Sequence, residues 1–128
     1  MESELSQATT IAQSFCDFYY KTFDSNRSQL EPLYHKECSV MTFEGDRKCG
    51  SVDITAKLVN LPFKTVKHAV TSVDVHLTID HSILITVLGQ LQVDQDPKNA
   101  FHQTFLLKNQ NQNFYIVNDI FRLGLHNF

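Results

Sequence analysis

From Lys64 to the C-terminus the chain runs almost entirely in alternating apolar and polar residues, and within that stretch the alternation changes phase once. Val66, His68 and Val70 recur at every second position; Val73, Val75 and Leu77 do so on the opposite parity. Residues two apart on a strand share a face, so a strand over 64–77 keeps one face inward only by accommodating an extra residue near Thr71-Ser72. A bulge there bends the strand sharply. Ser82 to Asp94 reads as a second long strand, apolar on both parities over Ile83 to Leu88, which calls for cover on both sides; a second subunit is one source of it. Phe101 to Lys108 and Phe114 to Leu123 complete the sheet, with Asn109 to Asn113 as the hairpin loop.

The first half is helical. Between Ser6 and Asp24 the residues Ile11, Phe15, Phe18 and Thr22 fall at helical steps and predict one core-facing stripe. Asp24-Ser25-Asn26 breaks it, and Arg27 to Tyr34 reads as a short second helix with Leu30, Leu33 and Tyr34 inward, curtailed by Pro32. Cys38 to Glu44 alternates as a strand, Glu44-Gly45-Asp46 turns, and Arg47 to Cys49 returns. Ser51 caps a third helix to about Leu61, with Ile54, Leu58 and Leu61 on one face and Pro62 ending it. The expected fold is α+β: a cone-like single domain over 1–128, three N-terminal helices packed on a strongly bent mixed or antiparallel sheet, with a hydrophobic cavity at its open mouth.

At 128 residues and 42% hydrophobic, such a domain buries a core without disulfide or metal staples. The net charge of -3 with scattered Lys and Arg leaves no basic face, which argues against nucleic acid or an acidic membrane surface as partner. With no basic n-region before an apolar stretch and no run long enough to span a bilayer, a soluble, non-secreted protein is expected. Cys16, Cys38 and Cys49, an odd number without zinc spacing, are expected as reduced, buried or half-buried thiols. No G-x-S-x-G elbow and no glycine-rich phosphate loop occur, so neither cofactor nor metal is called for.

The run Leu91-Gln92-Val93-Asp94-Gln95-Asp96-Pro97 puts two carboxylates at the tip of an apolar hairpin. Like charges two apart share a face and repel, and a basic partner from outside reverses that cost. A solvated turn is the plainer account; calcium is disfavoured, since the ligand count and glycine of an EF-hand are lacking. Glu44 closes its strand and can lie at the same end of the sheet. His68, at an inward position, reads as a hydrogen-bonded core histidine or as a base. Leu61-Pro62-Phe63, with Phe43 and Phe121, is core, or else lines the mouth, where burying a partner's Phe gains roughly 1.5–3 kcal/mol.

Phe18-Tyr19-Tyr20 with Phe23-Asp24, Arg27-Ser28-Gln29-Leu30 with Tyr34, Thr42-Phe43-Glu44-Gly45, Leu61-Pro62-Phe63 with His68, Gly89-Gln90-Leu91, Phe101-His102-Gln103 and Asn118-Asp119-Ile120-Phe121-Arg122-Leu123 together resemble, in order and in register from about Ile11, the nuclear transport factor 2 family. The resemblance implies a homodimeric, non-enzymatic carrier of the GTPase Ran in its GDP form, moving between cytoplasm and nucleus through nuclear pores by binding phenylalanine-glycine repeat nucleoporins. It implies rim acids at Glu44, Asp94 and Asp96 with His68 nearby, and a cavity wall of Phe43, Leu61, Phe63 and Phe121 that takes an aromatic from Ran's switch region. The switch is rearranged in the GTP form, whence the selectivity. In the register of the family's first-helix nucleoporin aromatic stands Ala8, with Leu5 as a weaker apolar contact. Cones of this kind also serve isomerases and dehydratases, for which His68 with Tyr19 is the best base constellation, and the small partner of an mRNA-export receptor. A catalytic carboxylate belongs inside a dry pocket, so the strand-end position of Asp94 and Asp96 favours docking.

Overall fold

The computed structural model describes residues 2–124. A long helix α1 (Glu2–Ser25) is followed by a 3-10 helix (Arg27–Leu33), strands β1 (Val40–Phe43) and β2 (Asp46–Cys49), helix α2 (Ser51–Val59), and strands β3 (Val66–Leu77), β4 (Ile83–Val93), β5 (Asn99–Gln110) and β6 (Asn113–Leu123). The strands form one sheet in the order β2-β1-β6-β5-β4-β3; β1 runs parallel to β6 and every other pairing is antiparallel, so the sheet is mixed. This is the expected α+β architecture, three helices against a six-stranded sheet.

The phase change in β3 is a bulge at the expected place. Val70 pairs with Gly89 and Ser72 with Leu88, so Thr71 is the extra residue. Past it, Val73, Val75 and Leu77 oppose Val87, Ile85 and Ile83 on the core face. A second irregularity, between Leu106 and Leu107 against β6, had no signal in the alternation.

The face of α1 differs from the expected stripe. Of that stripe Thr22 is buried and Ile11 and Phe15 pack half-buried against the core, but Phe18 is 55% exposed, and Ala8, Ala12, Cys16, Tyr19, Tyr20 and Phe23 are the other buried positions. Small residues at Ala8, Ala12 and Cys16 bring the helix close to β3 and β4, and the tyrosines then reach across the core. Burial pushes the Cys16 thiol up to about 12, aided by nearby Asp17, so it is inert, whereas Cys38 and Cys49 are exposed. Nor does Ser51 cap α2: Gly50, at φ 82°, occupies that position and Ser51 is buried inside the first turn. The β5–β6 connection is tighter than expected, turning on Asn111 and Gln112 at φ 54° and 68°, the left-handed pair a two-residue hairpin uses.

The inner face carries the core; among the described residues nothing covers the outer face. Leu84 opposes Leu106 there, Thr86, Thr104 and Ile120 follow across β4, β5 and β6, and Leu88 opposes His102. Leu88 and Ile120 are about half exposed, at 48% and 50%.

At Gly89 the strands β3 and β4 approach too closely for a side chain. A Cβ there would lie 2.3 Å from the Ala69 carbonyl oxygen and 2.9 Å from the Phe101 ring. Gly89→Ala is expected to cost roughly 1–3 kcal/mol of stability by overpacking, measured as a lower urea midpoint at unchanged slope.

Candidate functional site

Strand directions assemble the site. β1, β4 and β6 end, and β2, β3 and β5 begin, at one end of the sheet, so Glu44 lies at the same end as Asp94, Asp96 and the segment Leu61–Thr65 that leads into β3, with β6 and β5 between β1 and β4. Phe43 stacks on Phe121 with centroids 4.5 Å apart and planes 7° from parallel, and Phe121 continues onto Phe101 at 5.7 Å. Phe43, Leu61 and Phe63 are half-buried against the core and Phe121 is fully buried. The Arg27 guanidinium lies 4.7 Å from the Phe63 ring centre and covers that ring.

Each acid has a distinct setting. Glu44, in the left-handed region at φ 50°, accepts the Leu123 backbone N–H on its carboxylate and donates its own N–H to the Phe121 carbonyl, 3.0 Å. Asp94, also left-handed at φ 49°, accepts N–H bonds from Thr65 (2.9 Å) and Lys64 (3.0 Å) on the single oxygen Oδ1. Those bonds, led by the one from Thr65, hold its carboxyl below the usual carboxylate range. The like-charge argument from sequence supposed that nothing inside the fold rewards an acid here; for Asp94 the structure supplies such a reward. Among the described residues the Asp96 carboxylate has no such bond, only its backbone being engaged, by Val93 and by the Gln92 side chain.

His68 is a core histidine. Its side chain is 2% exposed, its Nδ1 lies 2.6 Å from Asp24 Oδ1, and its backbone N–H donates to Asp24 Oδ2 at 2.9 Å. Tyr20, Phe23 and Phe101 surround the ring at 4.9–5.3 Å. The pair ties the C-terminal end of α1 to β3. On the first helix, Ala8 is 3% exposed and faces the core, while Leu5 is half-buried.

The sequence reading missed the polar cluster inside the core. Asp119, 1% exposed, accepts bonds from Tyr34 Oη (2.7 Å) and Gln103 Nε2 (2.8 Å); Tyr20 donates to Gln103 Oε1 (2.7 Å), and the hydroxyls of Tyr19 and Tyr34 lie 2.7 Å apart. Burial raises the Asp119 carboxyl to about 6 against the opposing pull of those bonds. An acid beside tyrosines looks like catalytic furniture, yet both Asp119 oxygens are taken and the site is closed to solvent. The proposed base pairing of His68 with Tyr19 is likewise not formed: His68 is held by Asp24 and the Tyr19 hydroxyl meets Tyr34.

A closed interior with acids and aromatics at one end of the sheet defines a cone-shaped α+β binding protein. The sequence model of the Nuclear transport factor 2 (NTF2) domain matches residues 11–123. The chain is 42% identical over 116 residues to nuclear transport factor 2 of Schizosaccharomyces pombe, covering 89% of this chain and 94% of that one. It is also 42% identical over 124 residues to a probable nuclear transport factor 2 of Caenorhabditis elegans, covering 92% and 93%. The structure of nuclear transport factor 2 from Cryptosporidium parvum superposes with a TM-score of 0.86 at 33% identity, covering 92% of this chain and 95% of that one. The chain belongs to the nuclear transport factor 2 family. Its work is nuclear transport, without catalysis.

Proposed function

We infer that this protein is an import carrier for the GTPase Ran in its GDP form. It passes nuclear pores, between cytoplasm and nucleus, by touching phenylalanine-glycine repeat nucleoporins, and it works as a homodimer. Family membership supports the cargo, and the position of Glu44, Asp94 and Asp96 at one end of the sheet with Phe43 and Phe121 is the observation that carries the docking site. The acids, with His68 nearby, form a rim for basic Ran residues; Phe43, Leu61, Phe63 and Phe121 form a wall for an inserted aromatic. The homodimer is supported by the exposed apolar residues Leu88 and Ile120 on the outer sheet face. Nucleoporin contact through the first helix rests on Leu5, because Ala8 has little surface to offer.

Mixing the protein with Ran on a sizing column tests the cargo: co-elution is expected with the GDP form alone, and absence of a GDP-Ran complex sinks the inference. Reversing both charges, Asp94→Lys with Asp96→Lys, should weaken GDP-Ran binding at least about tenfold, mostly through a slower association rate with a shallower salt dependence. A double variant that titrates GDP-Ran as tightly as the parent removes the aspartates from the rim.

A further inference from the structure

The segment Leu61–Thr65 links α2 to β3 with little regular structure of its own; Leu61 N–H donates to the Leu58 carbonyl of α2, and inside the segment Phe63 N–H donates to the Leu61 carbonyl. A loop held so lightly does not by itself fix two side chains in place. It is held from outside at two points. Asp94 Oδ1 takes the backbone N–H groups of Lys64 and Thr65 together with the Thr65 hydroxyl at 3.4 Å, and Asp94 N–H donates back to the Thr65 carbonyl at 3.0 Å. Arg27, whose Nε is buried with no hydrogen-bond partner among the described residues, lays its guanidinium over Phe63. The left-handed backbone at Asp94 turns its carboxylate back onto the segment, a conformation that Asp tolerates better than most residues.

We propose that Asp94 is a positioning residue for the partner-binding wall: Oδ1 pins the Leu61–Thr65 segment to the end of β4 so that Leu61 and Phe63 stand ready, while Oδ2 and the Asp96 carboxylate present the docking charge. This rests on the reading of that wall as the Ran site. Two adjacent acids of the same type thereby do different work. Asp96 acts on the encounter, and Asp94 also acts on the shape the partner meets, because a wall already ordered spares its ordering cost on binding.

Asp94→Asn and Asp94→Ala separate the two roles. The amide oxygen of Asn still accepts both N–H bonds and lacks only the charge; Ala loses both. In hydrogen exchange of the free protein, the amides of Lys64 and Thr65 should exchange at least about tenfold faster in Asp94→Ala and near the parental rate in Asp94→Asn. Asp94→Asn should weaken GDP-Ran binding by roughly two- to fivefold, an effect that fades at high salt. Asp94→Ala should lose roughly a further five- to tenfold that high salt does not remove. Unchanged exchange in Asp94→Ala, with both variants equally weak binders, overturns the pin and leaves the docking site standing. Accelerated exchange with parental GDP-Ran affinity in both variants overturns the positioning role and the docking site together.

Discussion

Asp119→Ala should lower the free energy of unfolding by roughly 3–5 kcal/mol at pH 5, because it strips the shared partner from two buried groups at once. Gln103 Nε2 loses its acceptor and the Tyr34 hydroxyl its neighbour, in a place water does not reach. A buried polar group left unpaired costs about 1–3 kcal/mol, and the deleted carboxyl leaves a void besides. Since stability totals about 5–15 kcal/mol in domains of this size, the variant sits near the threshold of folding. Urea titration measures it; a loss under about 1 kcal/mol means that the cluster relaxes or hydrates and does not hold the core together.

The same residue has a pH signature. With its carboxyl raised to about 6 by burial, Asp119 holds its proton more tightly in the folded state than in the unfolded one, where an ordinary carboxyl near 3.8 applies. Folding is therefore favoured by protonation. The contribution is fully present below about pH 4 and is lost as the pH rises through 6, a swing of roughly 3 kcal/mol. The exposed Asp46, Asp80 and Asp94, all with lowered values, pull the other way, since they lose stability as the pH falls. The comparison that isolates Asp119 is thus wild type against Asp119→Asn: their difference should shift towards the wild type between pH 7 and pH 4.

What the sequence disclosed and what it hid divide along contact range. The bulge near Thr71 was legible because strand alternation is a local, two-residue rule, whereas the common sheet end of Glu44 and the aspartates was only an allowed arrangement until the strand order was known. On α1, Ile11, Phe15 and Thr22 do meet the core, but Phe18 faces water and Ala8, Ala12 and Cys16 went unmarked, because they serve the core by being small. The Asp119 cluster joins α1, the residue after the 3-10 helix, β5 and β6, and no spacing rule ties Tyr19 or Tyr34 to a residue so far along the chain. Asp94 was singled out for its charge, and its backbone duty, set by a positive φ and a loop 29 residues earlier, had no sequence mark.

Ile120→Glu should convert the proposed homodimer into a folded monomer. Ile120 sits at the centre of the uncovered sheet face, between Thr104 on β5 and Thr42 on β1, with its side chain pointing away from the core that Asp119 and Phe121 enter. In the free protomer a Glu at a half-exposed position on a strand costs little, so the fold survives. In a two-fold interface built on this face the substitution enters twice, and each copy loses apolar burial and must desolvate a charge. At roughly 2–3 kcal/mol per copy, the dissociation constant rises by about three to four powers of ten, enough to empty the dimer at micromolar protein. Light scattering should then report half the parental mass while circular dichroism is unchanged. The docking edge lies at the ends of the strands and not on this face, so the monomer is expected to retain GDP-Ran binding per chain; a variant that stays dimeric shows that the subunits meet through some other surface, and one that loses Ran binding while remaining folded shows that the partner site needs both chains.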